Sequence, residues 1–319
     1  MMDEETFARL LDSLPADDAV LITDDLRVLS DLDRAHIDRF RPVWEKLAVP
    51  LRRQLITLLR QQADEHLELL FDRLFLFALA DPDAEVRRLA TDSLWESQDK
   101  QLIPIFLRMA NSDPSIDVRI AAIQALGRFV SLDQAGKINA TSLANIEDLL
   151  FQLLEQEASV GIRRACIEAL GYSTRSEIEG LIQAAYASND DGLRQSALLA
   201  MGRSANEIWE EAILAELNSH SPELRFEAAR AAGELELRSA VLSLIELLED
   251  VNDDVRKSAI WSLGQNGSTA ARTALEALKG SLEGEAFAAQ VEDALEHIAF
   301  LESTPNFLLF DFDDEDDLD

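Results

Sequence analysis

The chain is poor in the residues that build covalent or metal-held frameworks. Its 319 residues include one cysteine, Cys166, and four histidines, His36, His66, His220 and His297. A single thiol excludes a disulfide framework and thiolate-rich zinc or iron–sulfur sites. The histidines form no set of converging ligands at fixed spacing, so no metal is expected. Walker, Gly-x-Gly-x-x-Gly and Gly-x-Ser-x-Gly loops are missing, which leaves no signature of a nucleotide cofactor or an activated serine. Basic residues are also scarce: 29 Lys and Arg stand against 61 Asp and Glu, a net charge of -32. Such a surface repels phosphate backbones and excludes general nucleic-acid affinity. No apolar run approaches the ~18 residues that cross a bilayer. The acidic opening Met1-Met2-Asp3-Glu4-Glu5 is unlike the basic start of a secretory signal. The expectation is a cytoplasmic protein with no membrane span.

What is present is a repeat. The phrase Asp83-Ala84-Glu85-Val86-Arg87-Arg88-Leu89-Ala90 returns around Val118-Arg119, Ile162-Arg163, Leu193-Arg194, Leu224-Arg225 and Val255-Arg256. Small residues follow at 90, 122, 166, 197, 228 and 259, and glycine at 127, 171, 202, 233 and 264. Successive arginines are about 31 residues apart except between Arg119 and Arg163, where the step holds a repeat plus an insertion assigned to 131–142. Within each phrase the apolar positions recur with the helical period, after a capping Asp, Asn, Ser or Pro. A second amphipathic segment, such as 102–107 or 240–248, lies between phrases. Each unit therefore reads as a helical hairpin that buries its apolar faces against the next hairpin. The glycines suit either a helix end or a close helix crossing, and Cys166 occupies one of the small buried positions.

Degenerate copies flank the array. Residues 51–59 keep the rhythm with Leu55 where alanine belongs, and 284–301 form a capping helix. The expected organisation is an N-terminal helical cap at 1–48, the repeat array at 49–302, and an acidic, aromatic tail at 303–319. That tail carries Phe307, Phe310 and Phe312 followed by a run of acids, and is expected to be flexible. It reads either as a solubilising end or as a linear motif that docks on a basic, apolar groove.

The repeated phrase resembles the HEAT repeats, in particular the short phycobilisome-lyase-like subgroup, over residues 67–300. The resemblance implies an all-α fold: a right-handed α-α superhelix, or α-solenoid, of helical hairpins. It also implies a ladder in which each motif arginine bonds an acid of the inter-helix turn. Asp81, Asp113, Glu157 and Asp250 stand six residues before Arg87, Arg119, Arg163 and Arg256. Ser188 and Ser219 replace the acid before Arg194 and Arg225, so the ladder is expected to weaken in the middle. HEAT-repeat hydroxylases hold iron on His-Glu pairs, whereas Glu65-His66 and Glu296-His297 reverse that order here.

By analogy with the family, the motif helices line the concave face. Residues two and six positions after the branched residue, and the residue after each glycine, then form an exposed stripe. That stripe includes Arg128, Tyr172, Leu199, Arg203, Phe226, Arg230 and Trp261, which is basic and aromatic for so acidic a chain. The reading is a non-enzymatic scaffold or adaptor with no cofactor, gripping a protein or peptide through this face, with self-docking of the acidic tail as one occupant. The alternative is an accessory subunit of a modifying enzyme resembling the phycobilisome bilin lyases.

Overall fold

A computed structural model describes residues 4–14, 26–133, 135–281 and 283–303. Among them every regular element is helical. The chain divides into two compact units, Met1–Ser173 and Thr174–Asp319.

The first unit begins with α1 (Glu4–Ser13) and α2 (Arg34–Trp44). Alternating motif and outer helices follow: α3 (Val49–Glu65), α4 (Asp72–Ala78), α5 (Ala84–Ser93), α6 (Ile103–Ser112), α7 (Ile116–Ser131), α8 (Ala140–Gln156) and α9 (Val160–Leu170), with α4 packed on α5, α6 on α7 and α8 on α9. Phe7, Leu29, Phe40 and Trp44 are buried, and the Phe40 and Trp44 rings meet Phe77 of α4 edge-on. The link is specific as well as apolar. Trp44 Nε1 donates to Asp81 Oδ2 at 2.7 Å, and Asp31 N donates to Leu70 O at 2.7 Å.

The second unit contains α10 (Glu177–Tyr186), α11 (Asp191–Arg203), α12 (Glu210–Glu216), α13 (Pro222–Glu234), α14 (Val241–Glu246), α15 (Asp253–Asn266), α16 (Thr269–Lys279) and α17 (Ala288–Ser303). Within each unit, a motif helix packs on the next motif helix and on the outer helix that precedes it, as α13 does on α15 and α12. The motif starts are fixed by side-chain caps. Asp83, Ser159, Asp190, Ser221 and Asn252 each accept a hydrogen bond from the backbone N–H three residues on, satisfying a donor that the first turn leaves open.

The insertion before Arg163 is not confined to a polar loop. Helix α7 continues to Ser131, and α8 is 17 residues long where the outer helices α6 and α10 have 10. Much of the extra chain therefore satisfies its own backbone as helix.

The small positions hold the stack tight. Ala90, Ala122, Cys166, Ala197, Ala228 and Ala259 are fully buried. The motif glycines mark close crossings more than helix ends. A Cβ at Gly127 would lie 2.9 Å from Ala169 Cβ, one at Gly202 3.0 Å from Ala231 Cα, and one at Gly264 2.9 Å from Ala294 Cβ. Gly171, by contrast, sits at the end of α9.

Candidate interaction surface

The motif arginines set the spacing between hairpins. Arg87 donates through Nε and Nη2 to Asp113 Oδ2 and Oδ1 at 2.9 and 2.7 Å. Arg225 grips Asp250 in the same bidentate way at 2.7 and 2.9 Å, and Arg119 reaches Glu157 at 2.5 Å. Each pair joins a motif helix to the turn before the next motif helix. The acid six residues upstream is therefore not the ion-pair partner expected from the sequence. That upstream residue gives its backbone carbonyl instead, as Asp81 O does to Arg87 at 2.9 Å and Ser219 O to Arg225 at 2.8 Å. A carbonyl is present whatever the side chain, so Ser219 serves as well as an acid there.

The expected weak middle changes accordingly. Arg194 pairs with Glu216, three residues ahead of Ser219. Arg163 is exposed, and the chain offers Ser188 at the turn position where other rungs carry an acid. The ladder also runs further than the six clear repeats. Arg52 of the degenerate first hairpin donates to the buried Asp81 carboxylate at 2.5 Å. At the other end the Arg256 guanidinium lies over the Phe287 ring at 4.7 Å. The pairing shows in the charges: Arg225 holds Asp250 below the usual carboxylate range, and Asp113 pushes Arg87 upward.

With the arginines turned inward to this ladder, the outward stripe of the motif helices is left to other residues. Arg128 is exposed on α7, and Tyr172 is half-buried just beyond α9. In the second unit Phe226, Arg230 and Arg203 are half-buried, and Trp261 is 40% exposed. Leu199 departs from the expectation, being 8% exposed. Helix α11 is buried all round from Ser196 to Gly202, as suits a run of Ala, Leu and Met with no polar face. Phe307, Phe310 and Phe312 lie outside the described residues.

Trp261 is brought onto α13 by backbone proximity. A Cβ on Gly233 of α13 would lie 2.7 Å from Trp261 Cζ3 and 2.9 Å from Ser262 Cα. The glycine therefore leaves the space in which the indole edge rests. Ser258 and Ser262 of α15 donate to Phe226 O and Ala229 O at 3.0 and 2.6 Å, fixing the two helices in register. Arg230 Nε donates to Glu234 Oε1 at 3.0 Å one turn on, which holds the guanidinium beside the stripe.

Two residues important to the first unit's surface, Arg60 and Trp95, escape a reading by residue type. They occupy the slot, eight after the motif arginine, that holds glycine in the later repeats. A comparison of slot occupants across repeats reveals them. Arg60 and Trp95 both line a groove with Asp92, Gln124, Ala125 and Arg128.

Two of the four histidines are engaged structurally. His36 bonds Glu4 and Asp33 at 2.8 and 2.7 Å, and His66 meets Arg27 at 2.9 Å. Burial pushes the Cys166 thiol up to about 12, far from a reactive thiolate. Among the described residues no group of three or more His, Cys, Asp or Glu is placed to hold a metal ion. Among those residues, no helix is long and apolar enough to cross a membrane.

No curated protein sequence matches the chain. Yeast importin-β (Kap95p) is similar in fold, at 12% identity and a TM-score of 0.52, over 92% of this chain and 46% of that one. The complex of CpcE and CpcF of phycocyanin lyase from Nostoc sp. PCC7120 has 19% identity and a TM-score of 0.48, over 72% of this chain and 94% of that one. Human deoxyhypusine hydroxylase has 20% identity and a TM-score of 0.38, over 93% and 97%. The family model for HEAT repeats matches residues 71–148 and 210–296, together more than half of the sequence. The chain belongs to the HEAT-repeat family.

Proposed function

We propose that this HEAT-repeat chain is a non-enzymatic scaffold or adaptor that grips a protein partner through the outward stripe of its motif helices. One observation carries the reading: Phe226, Arg230 and Trp261 share two adjacent helices, with Trp261 left 40% exposed over a glycine. Trp and Arg are the side chains enriched at interface hot spots, where a rigid ring or a flat cation gains most from desolvation. Arg52, Arg87, Arg119, Arg194 and Arg225 are taken up by the ladder, whereas the exposed indole of Trp261 is available for a partner. The importin-β fold likeness supports the architecture and leaves the partner open.

The test is affinity capture from the native host with the full chain and with Arg230→Ala/Trp261→Ala. The double variant is expected to keep its helical content and to lose the principal captured protein. A wild-type capture profile from the folded double variant contradicts the reading, and so does a bilin or metal copurifying in stoichiometric amount.

A further inference from the structure

We infer that the cleft between α10 and α12 is a docking site for a protein segment in which an apolar side chain is flanked by lysine or arginine. The site lies on the outer helices of the second unit. It is separate from the Trp261 stripe of α13 and α15 and does not depend on that reading.

The cleft follows from the small residues on its walls. Helix α10 packs on α11, and α12 packs on α13. Between the two outer helices the lining includes Gly180, Ala212 and Ala215, whose side chains are too short to close the gap. What remains is a volume of about 650 Å³, within the roughly 300–1,000 Å³ of ligand sites. The glycine has no internal cause. Gly127, Gly202, Gly233 and Gly264 stand where a Cβ would strike a neighbouring helix, whereas a Cβ on Gly180 would meet nothing within 4 Å. A glycine inside a helix weakens it, so Gly180 loosens α10 without serving a close contact, and it leaves the cleft open.

The lining is apolar with an acid on each wall. Ile208 is 58% exposed at its edge, and Trp209, in the turn leading into α12, is 5% exposed. The Trp209 indole N–H is buried and makes no hydrogen bond among the described residues, although a buried indole ordinarily has an acceptor. Glu179 on α10 and Glu211 on α12 are both exposed. Glu179 accepts from Asn206 Nδ2 at 3.1 Å, and Glu211 has no partner among the described residues. No Lys or Arg lines the cleft. Residues 177–186 and 207–216 together hold six glutamates and no base. Arg194, which lies over the Tyr186 ring at 5.9 Å, is engaged by Glu216 and Asp191.

These features select one kind of occupant. An apolar side chain laid over Gly180 covers Ile208 and the small residues of α12. Cations on either side of it meet Glu179 and Glu211, and the backbone between them brings carbonyls of the kind the Trp209 N–H lacks. An acidic segment of the same shape sets like charges against both walls.

The probe is a fluorescent Lys-Leu-Lys-Leu-Lys peptide, titrated into the full chain and read by anisotropy. Its controls are Lys-Ser-Lys-Ser-Lys and Glu-Leu-Glu-Leu-Glu. A net charge of -32 attracts any cationic peptide, so the comparison between peptides is decisive. The leucine–lysine peptide is expected to bind about tenfold more tightly than the serine–lysine peptide, and the glutamate peptide is expected not to bind. Gly180→Leu fills the cleft without changing charge. It is expected to weaken binding about tenfold, with the thermal midpoint at or above wild type. Glu179→Gln/Glu211→Gln, which keeps an acceptor for Asn206, is expected to weaken binding by about the same factor. Arg230→Ala/Trp261→Ala is expected to bind the peptide as wild type does. Absence of binding overturns the site, as does equal affinity for the two lysine peptides or for wild type and Gly180→Leu. Tight binding of the glutamate peptide, or affinity indifferent to Glu179 and Glu211, overturns the charge assignment. Peptide binding lost in Arg230→Ala/Trp261→Ala moves the contact to the stripe and overturns the cleft. Failure here with capture still dependent on Arg230 and Trp261 leaves the scaffold reading standing.

Discussion

Arg87 and Asp113 face one another across the gap between consecutive motif helices, joined by two parallel hydrogen bonds and only 11% and 7% exposed. A forked guanidinium on a carboxylate fixes distance and angle together. Enclosed pairs of this kind add little net stability over a well-packed apolar contact, because both ions give up water. Their larger effect here is on register, since each pair holds one hairpin at a set offset from the next.

Removing one partner is another matter. Asp113→Ala strands a buried cation and is expected to destabilise the first unit by about 3 kcal/mol. Arg163→Ala, at an exposed position, is expected to stay within about 0.5 kcal/mol of wild type. Urea unfolding followed by circular dichroism, with hydrogen exchange to assign the unit affected, separates the two. Equal effects would show that the ladder does not hold the hairpins.

The glycines make opposite predictions according to what they face. Gly127→Ala drives a methyl into Ala169, at 2.9 Å from its Cβ and 3.0 Å from its Cα, and backbone cannot swing aside. Overpacking of about 1–3 kcal/mol should outweigh the helix-propensity gain of about 1 kcal/mol. Gly180→Ala meets nothing within 4 Å on the exposed side of α10, so the same exchange there is expected to stabilise by about 0.5–1 kcal/mol. The sign of each change in melting temperature is the check.

These pairings explain what the sequence could and could not reveal. The repeat, the capping residues and the small buried positions are local patterns, legible in Val255, Ala259 and Asn252 without any coordinates. The direction of the ladder is not local. Asp113 stands six residues before Arg119 and 26 after Arg87, and only the packing of hairpins decides which arginine it meets. Leu199 misled for a similar reason, because the same position is exposed or half-buried in the other repeats but α11 is enclosed. Arg60 and Trp95 were hidden by their residue types, since the signal is the glycine they replace.

The N-terminal helix should loosen as pH rises above 6.5. His36 has a raised pKa, chiefly through its hydrogen bond to Glu4 of α1 and also through Asp33. A raised folded pKa contributes stability that is fully present below the unfolded value of 6.5 and is lost as pH rises through the folded value. Hydrogen exchange in α1 is expected to speed up beyond its intrinsic pH dependence across that window, and His36→Gln to remove the excess. A dependence unchanged in the variant assigns it to another group.

Acid acts at the first motif helix. Asp83 caps α5 and is gripped by Arg53, which draws its pKa from 3.8 to about 2. A lowered folded pKa contributes stability present above 3.8 and lost as pH falls through about 2. Asp83→Asn keeps much of the cap but loses the charge, so its destabilisation relative to wild type is expected at neutral pH and to vanish near pH 2. A constant difference across the range would mean the cation pair contributes nothing.

The central claim is that partners meet the outward stripe of the motif helices. Hydrogen–deuterium exchange of the full chain, with and without its principal captured partner, tests this most directly. The account predicts slowed exchange in α13 and α15 around Phe226, Arg230 and Trp261. Protection confined to the outer helices α10, α12 and α14, with α13 and α15 unchanged, would contradict it.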